Sequence, residues 1–174
     1  KKFMNLINKN EKIFLSGGTG MVGSAIKRKL NLEGYNNVLS PTRNELELRD
    51  EEKVSKWFKN NKPDIVIIGA AKVGGIYANN SYPVDFLLDN IKIQNNIIES
   101  SWKNDVKRLL FLGSSCIYPK NASQPIKEEE LMQGALEETN SSYAIAKISG
   151  IKLCQALRNQ YGFDAISLMP TNLY

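Results

Sequence analysis

Hydrophobic residues occur along this chain in two kinds of stretch. In one kind they fill short, nearly continuous runs, and in the other they recur every three to four positions over longer segments. Short apolar runs are typical of strands in a parallel sheet, whereas the longer spacing is typical of helices that lie on a sheet. The runs predict strands at residues 12–16, 37–40, 45–48, 65–71, 107–113 and 165–169, and the spacing predicts helices at residues 21–32, 50–60, 83–102 and 142–160.

The alternation of predicted strands and helices indicates the fold class. A strand, a crossover helix and a second parallel strand form a right-handed unit, and successive units build an open sheet with helices on both faces. We therefore predict an α/β protein with a doubly wound parallel sheet, the Rossmann-type dinucleotide-binding domain. Residues 65–71 are apolar at every position, which predicts the central strand.

The helix predicted at residues 83–102 carries two sets of apolar positions. One set, at 84, 87, 88, 91, 98 and 102, suits a face that covers the sheet, and a second set lies at 86, 93 and 97. A helix that is apolar on two faces is usually buried on both. Either this helix and the one beginning near Tyr143 pack against their copies in a homodimer, or the rest of the protein covers one wide apolar stripe.

Composition narrows the class of protein. The chain has 174 residues, 42% of them hydrophobic and 24% charged, which suits one globular domain. Its apolar runs are far shorter than the roughly 20 residues of a membrane span, so we expect a cytoplasmic protein with no membrane partner. The net charge of +5 fits a solvated surface or an anionic ligand, and no basic-aromatic stripe indicates nucleic acid. With two separated cysteines and no histidine, neither a metal site nor a disulfide framework is supported.

A glycine loop follows the first predicted strand directly and opens the first predicted helix. Its three glycines are Gly17, Gly20 and Gly23, in the order that a dinucleotide-binding loop requires. The first permits a tight turn, the second lets backbone N–H groups approach a pyrophosphate, and the third lets the helix pack close to the strand. A merely structural turn is the alternative. Small residues after the central strand, including Ala70 and Ala71, would let a cofactor lie against the strand end.

The end of the second predicted strand bears on the choice between NADP and NAD. An acidic residue there favours a free ribose 2′-hydroxyl, whereas an arginine can pair with a 2′-phosphate. The sequence places Arg43 in this region, which favours NADP; an ordinary exposed arginine is the alternative. Asp50 precedes the next helix as a predicted N-cap and as a candidate partner of the adenine amino group.

Tyr143 and Lys147 lie four positions apart on a predicted helix, which puts both side chains on one face, one turn apart. A nearby ammonium stabilises a phenolate, so such a pair can pass a proton near neutral pH. The structural alternative is a surface lysine beside a half-buried tyrosine.

Ser114 and Cys116 follow the strand predicted at residues 107–113, at the edge where open parallel sheets bind ligands. A hydroxyl at this edge can hydrogen-bond a carbonyl oxygen. From the residues alone, Ser114 can equally cap the strand end, and Cys116 can be a small buried residue.

The ends of the chain and one internal segment complete the expected organisation. Residues 1–11 are polar and weakly patterned and read as an N-terminal extension, ahead of an NAD(P)-binding domain at residues 12–174. Residues 121–140 are too long for a bare connection, which indicates a lid or a substrate-facing segment. The chain stops just after a predicted strand, so we expect a fragment without its C-terminal substrate domain.

Several stretches together resemble the GDP-L-fucose synthases, a family of extended short-chain dehydrogenases/reductases. They are GGTGMVGSAI at residues 17–26, AAKVGGI at 70–76, LGSSCIYPK at 112–120, YAIAKISGI at 143–151 and MPTNLY at 169–174. The resemblance implies an NADP(H)-dependent enzyme acting on a GDP-sugar. It would epimerise two ring carbons of GDP-4-keto-6-deoxy-mannose and reduce the ketone to give GDP-L-fucose.

The resemblance also implies a role for each matching residue. Tyr143 would donate a proton to the substrate C4 oxygen, Ser114 would hydrogen-bond that oxygen, and Lys147 would hold the nicotinamide ribose and lower the tyrosine's pKa. Cys116 would be the epimerisation acid/base. With these residues, the cofactor-contacting set comprises Gly17, Gly18, Thr19, Gly20, Met21, Val22, Gly23, Arg43, Asp50, Ala70, Ala71, Leu112, Gly113, Ser114, Ser115, Pro170, Thr171, Asn172 and Leu173.

The chain departs from the family pattern at two points. The family pairs its cysteine with a histidine shortly after the Pro-Thr-Asn-Leu-Tyr stretch, and this chain has no histidine. The family can also place an arginine in the glycine loop, where this chain has Thr19. A related GDP-deoxysugar reductase or epimerase is therefore one alternative function, and a non-catalytic NAD(P)-binding module is another. Ser114, Tyr143 and Lys147 together favour catalysis, because a module that only binds has no need of all three.

Overall fold

The computed structural model describes residues 7–173, which build a single parallel sheet with helices on both faces. Its elements are β1 (Ile13–Ser16), α1 (Met21–Leu32), β2 (Val38–Leu39), α2 (Glu51–Asn61), β3 (Ile65–Ile68), α3 (Ile76–Ser81), α4 (Pro83–Lys103), β4 (Arg108–Leu112), α5 (Ser141–Tyr161) and β5 (Ala165–Leu168). The strands lie side by side in the order β2-β1-β3-β4-β5. The predicted doubly wound α/β fold is confirmed.

The two faces of the sheet are packed by different helices. Every residue of β1 and β3 is buried, and alternate residues point to opposite faces. Phe14 and Val66 point into a large cluster with α2, α4 and α5, whereas Leu15 and Ile67 point into a smaller cluster covered by α1. A strand buried on both faces belongs in the middle of the sheet, as predicted for this apolar run. The strand ends at Ile68, however, and residues 69–71 continue as loop.

The strand order creates a crevice at the carboxyl edge of the sheet. From β1 the chain moves outward to β2, and it then crosses back to place β3 on the other side of β1. The loops that leave β1 and β3 therefore diverge, which opens the space between them at the point where the topology reverses. This crevice is where an open α/β sheet binds its ligands.

α4 packs on the sheet mainly with the smaller of its two apolar sets. Ile97 is buried in the large cluster, Ile93 packs against that cluster, and Phe86 is buried near the beginning of the helix, so the smaller of the two apolar sets faces inward. From the larger set, Ile98 is buried, whereas Val84 is 68% exposed and Leu88 is 47% exposed. An apolar strip at the beginning of α4 thus faces outward.

The strand predicted at residues 45–48 is wrong. The backbone N–H groups of Glu45 and Leu46 both bond to the carbonyl oxygen of Thr42, which folds this segment into a turn. Leu46 is buried and Leu48 packs against the large cluster, because both leucines insert into the core from a loop. The alternation of leucine and glutamate therefore reflects two anchoring side chains.

Two further segments refine the predicted connections. No helix was predicted between the central strand and residue 83, and the structure has the short α3 there. Residues 121–140 contain two short 3₁₀ turns, Glu128–Glu130 and Glu138–Asn140, and the second leads into α5.

Part of the predicted N-terminal extension, residues 1–6, lies outside the described residues, as does residue 174. Residues 7–11 form a turn before β1, and Ile7 packs against the smaller cluster. Within residues 7–173, no helix is long and apolar enough to cross a membrane. The same residues contain no group of acidic, cysteine or histidine side chains arranged to hold a metal ion.

Candidate active site

A cavity of about 1040 Å³ lies at the carboxyl edge of the sheet. Its walls come from the β1–α1 loop, the ends of β3 and β4, the first turns of α5 and the segment after β5. Most of the predicted site residues line it. These are Gly17, Thr19, Gly20, Met21, Val22, Gly23, Arg43, Ala70, Ala71, Leu112, Gly113, Ser114, Tyr143, Lys147, Pro170, Thr171, Asn172 and Leu173.

The glycine loop is folded too tightly for side chains at two of its positions. Gly17 has a φ of +74°, and a Cβ there would lie 2.8 Å from the backbone nitrogen of Ala70. A Cβ on Gly23 would overlap the carbonyl oxygen of Gly17. The Gly20 N–H closes the turn by donating to that same oxygen at 3.0 Å. These contacts hold α1 directly against the end of β1.

The N-terminus of α1 is open to an anion. Gly20 is its N-cap and supplies no side-chain hydrogen bond, and the first turn contains no acidic residue. The first N–H groups of a helix have no partner within the helix, and the helix dipole adds a partial positive charge there. Since Gly20 and Met21 both line the cavity, a phosphate group could accept these hydrogen bonds.

The Tyr143 phenol is harder to ionise than the phenol of an ordinary tyrosine. Burial raises its pKa to about 12, and the charge of the Cys116 thiolate adds to this effect, whereas a hydrogen bond with the Ser114 hydroxyl lowers it. We expected Lys147 to lower this pKa, and that expectation is wrong for this structure, because burial dominates. Tyr143 is therefore protonated throughout the neutral range.

Lys147 is almost completely buried, with 4% of its surface exposed. Its Nζ donates a hydrogen bond to the carbonyl oxygen of Leu112 at 2.8 Å and lies 5.8 Å from the centroid of the Tyr143 ring. Burial lowers the pKa of Lys147 to about 8, and the nearby Cys116 opposes this change. The lysine is thus mostly charged at pH 7 and loses its proton about one pH unit higher.

Cys116 lies beside these residues but does not line the cavity. It is half-buried, and its backbone N–H donates to the Ser114 hydroxyl at 3.5 Å. Burial raises the pKa of its thiol, and a hydrogen bond with Ser114 and the charge of Lys147 lower it. Cys154 lies on the inner face of α5 within the large hydrophobic cluster, which indicates a packing role.

Three more predicted contact residues do not line the cavity. Gly18 faces the end of β2, where a Cβ would overlap the Ser40 hydroxyl. Ser115 begins the short 3₁₀ turn after β4 and does not line the cavity. Asp50 caps α2, as predicted, by accepting the Lys53 N–H at 3.0 Å. Its carboxylate also pairs with the Lys53 ammonium at 3.2 Å, and the contact of Asp50 with an adenine stays a prediction.

A row of charged side chains lies along the cavity; we call it the charged rim, and the sequence analysis identified only its member Arg43. Arg43, Glu47, Arg49, Asp89 and Lys72 form it. Glu47 accepts from Arg43 at 3.1 Å and from Arg49 at 3.0 Å, and Asp89 accepts from Arg49 and Lys72, each at 3.3 Å. The hydrogen bond from Arg49 is the main cause that lowers the pKa of Glu47 to about 2. No sequence spacing signals this row, because its members come from three separate segments.

A glycine loop on an uncapped helix, beside a serine, a tyrosine and a lysine at the carboxyl edge of a parallel sheet, defines a dinucleotide-dependent class of enzymes acting on small molecules. The model of the NAD dependent epimerase/dehydratase family matches residues 13–174. The chain belongs to this family.

Individual relatives are more specific. GDP-L-fucose synthase 1 of Arabidopsis thaliana is 56% identical over 170 residues, covering 98% of this chain and 53% of that protein. GDP-L-fucose synthase of Escherichia coli K12 is 55% identical, covering 94% and 52%. A GDP-D-glycero-L-gluco-heptose synthase from Campylobacter jejuni, solved in the presence of NADPH, has a TM-score of 0.94 at 42% identity, covering 97% and 49%. The resemblance to the GDP-L-fucose synthases is confirmed, and the chain spans about half the length of the curated relatives it matches.

Proposed function

We propose that this chain is the NADP(H)-binding part of an NADPH-dependent epimerase-reductase that converts GDP-4-keto-6-deoxy-mannose to GDP-L-fucose. The observation that carries the proposal is the common cavity of the glycine loop, Ser114, Tyr143 and Lys147. The likeness to two GDP-L-fucose synthases at 55% and 56% identity supports this choice of substrate.

The cavity suits NADP(H) at two places. The uncapped N-terminus of α1 can accept the pyrophosphate, and Arg43 on the charged rim can pair with a 2′-phosphate. When bound, NADPH supplies the hydride for reduction. We propose that Gly17, Gly20 and Gly23 keep the loop close enough to the backbone for this binding.

In the reduction, Tyr143 is the proposed general acid. Because its pKa is about 12, it carries the proton that the C4 oxygen requires as the ketone becomes an alcohol. Ser114 hydrogen-bonds the same oxygen and fixes its position next to the phenol. Lys147 holds the nicotinamide ribose, and its remaining charge stabilises the phenolate left after the transfer.

For the epimerisation, we propose Cys116 as the acid/base that removes and returns a proton at carbons made acidic by the neighbouring carbonyl. The charge of Lys147 and the hydrogen bond from Ser114 both favour its thiolate. The second acid/base and most of the GDP-sugar site are proposed to belong to a C-terminal substrate domain beyond residue 174. In this arrangement residues 12–174 are the cofactor domain.

A different GDP-sugar is the second candidate substrate. The Campylobacter jejuni neighbour carries the name of a heptose synthase, and it matches this chain with a TM-score of 0.94. The cofactor domain therefore suits several sugars, and the substrate domain would select among them.

The test is to supply the full-length protein with NADPH and GDP-4-keto-6-deoxy-mannose in deuterated water. We expect NADPH absorbance to fall and the product to carry deuterium at both epimerised carbons. NADPH oxidation without deuterium would favour a simple reductase, and oxidation only with a heptose substrate would favour the second candidate. No oxidation with either sugar, despite NADPH binding, would indicate a non-catalytic module.

Replacing Arg43 with leucine should weaken NADPH binding by about tenfold, because a charge-assisted pair with the 2′-phosphate is lost. Binding of NADH should stay within about twofold, since NADH has no 2′-phosphate. Isothermal titration calorimetry of both cofactors measures the difference. Arg28→Leu is the matched control, because Arg28 is an exposed arginine on α1 away from the cavity. Equal losses for the two cofactors would rule out the assignment of Arg43.

We also propose a homodimer formed through α4 and α5, which pack side by side in the chain. Val84 and Leu88 on α4 and Ile145 on α5 are all about half exposed or more, and they form the apolar surface for this contact. Sedimentation of the full-length protein should give a dimer at micromolar concentration. A monomer across that range would refute the proposal.

The cytoplasm is the compartment that we propose for the protein. Cys116 and Cys154 are both free thiols, the state that reducing compartments maintain.

A further inference from the structure

Lys147 lies on the face of an aromatic ring. Its Nζ is 4.9 Å from the centroid of Phe111, a fully buried residue of β4. The next residue of β4, Leu112, accepts the lysine's hydrogen bond through its carbonyl oxygen. Two consecutive residues of one strand thus contact the ammonium, one through its ring and one through its backbone.

Gly150 leaves the space on the surface of α5 that the Phe111 ring occupies. It lies one helical turn after Lys147, and a Cβ at this position would be 2.6 Å from Cζ and 2.9 Å from Cε1 of Phe111. Any larger residue would therefore push the ring away from the helix and from the lysine. A Cβ at Gly150 would also lie 3.0 Å from Cδ of Gln94, so the glycine is packed tightly against both side chains, most closely against the ring.

A buried ammonium needs compensation, and few charged groups face Lys147. On α5 its titratable neighbour is Tyr143, and from the turn after β4 it is Cys116. α4 contributes the neutral side chain of Gln94, which donates to the carbonyl oxygen of Ala146. No carboxylate contributes to the electrostatic surroundings of Lys147 among the described residues. The electron-rich face of the Phe111 ring therefore favours the cation together with the Leu112 carbonyl oxygen and the charge of Cys116, and it lies closer to the ammonium than the Tyr143 ring does.

We propose that Phe111 and Gly150 form an aromatic seat for Lys147, which positions its ammonium beside Leu112 and keeps it charged at neutral pH. The inference rests on the proposed function, in which Lys147 holds the nicotinamide ribose. Phe111 and Gly150 are positioning residues, because they act through the lysine and do not line the cavity.

Replacing Phe111 with leucine should lower the pKa of Lys147 by about one unit, because an aliphatic side chain keeps the site dry but offers no electron-rich face. From a starting pKa of about 8, the charged fraction at pH 7 should fall from about nine-tenths to about one half. The decline of the reduction rate with rising pH should move to lower pH by the same amount. Gly150→Ala should act in the same direction by displacing the ring.

The experiment is a pH titration of lysine side-chain NMR signals in the full-length protein, with Lys147 assigned by its absence in Lys147→Met. Phe58→Leu is the matched control, because Phe58 is an equally buried phenylalanine in the same cluster but lies on α2. It should reduce stability by a similar amount and leave the pKa of Lys147 unchanged. If Phe111→Leu does not fold, Gly150→Ala supplies the measurement.

An unchanged pKa in Phe111→Leu, or an equal fall in Phe58→Leu, would overturn the aromatic seat. A rise in the pKa of Lys147 in Phe111→Leu would also overturn the aromatic seat. Failure of the proposed function would look different: NADPH would not be oxidised by the unsubstituted protein, whatever the pKa of Lys147.

Discussion

Tyr143→Phe should reduce the rate of NADPH-dependent reduction by about 10²- to 10⁴-fold, the contribution of a well-placed general acid. The phenylalanine ring keeps the shape of the cavity wall but carries no proton for the C4 oxygen. Burial holds the pKa of the tyrosine at about 12, so in the unsubstituted protein that proton is present throughout the neutral range. Steady-state kinetics of NADPH oxidation by the full-length protein measure the change.

Tyr161→Phe is the control for this substitution. It removes the same hydroxyl from the other end of α5, where Tyr161 is exposed and its ring packs beside Trp102 at 4.6 Å. Its kcat should match the unsubstituted protein. Full activity in Tyr143→Phe would show that another group donates the proton, and a parallel loss of NADPH affinity would point to a binding role.

Gly23→Ala should abolish tight cofactor binding, lowering affinity for NADPH at least about tenfold. The new methyl group would overlap the carbonyl oxygen of Gly17, so α1 must move away from β1 and take its N–H groups out of position. The same overlap should reduce the free energy of unfolding by about 1–3 kcal/mol. Calorimetric titration and chemical denaturation report the two effects separately.

Gly75→Ala provides the comparison, because a Cβ on Gly75 would meet no atom within 4 Å. Its φ of −69° also suits alanine, so affinity and stability should stay near their original values. If Gly23→Ala binds NADPH as tightly as Gly75→Ala, the glycine loop does not hold the pyrophosphate.

The apolar pattern predicted the sheet well where strands are buried on both faces. The run before the glycine loop and the run at residues 65–71 carry that signal in every residue, and both form central strands. It failed at residues 45–48, where Leu46 and Leu48 anchor a turn. Alternating apolar and polar residues indicate which side chains face the core. They do not distinguish a strand from a loop that is anchored by its apolar side chains.

The site residues also fall into two groups: those that a local sequence pattern indicates and those that only the fold brings together. Residues that act through a local pattern, such as the glycine loop or the Tyr143–Lys147 spacing, could be found in the sequence. The charged rim could not, since Arg49 and Asp89 meet only when α4 packs beside the loop after β2. The raised pKa of Tyr143 could not be predicted from the sequence either. Burial of the side chain raises it, and residue spacing does not show how deeply a side chain is buried.

The charged rim has a consequence for how solution conditions act on cofactor binding. With the pKa of Glu47 near 2 and three of its other members lysine or arginine, the rim keeps its ionic form across the whole physiological pH range. Arg43 is 72% exposed, so dissolved ions reach it freely and screen its attraction for a phosphate over about 8 Å at physiological ionic strength. If Arg43 pairs with a 2′-phosphate as proposed, salt concentration should weaken that attraction directly, whereas acidity should act through the second ionisation of the phosphate, near pH 6, and not through the rim.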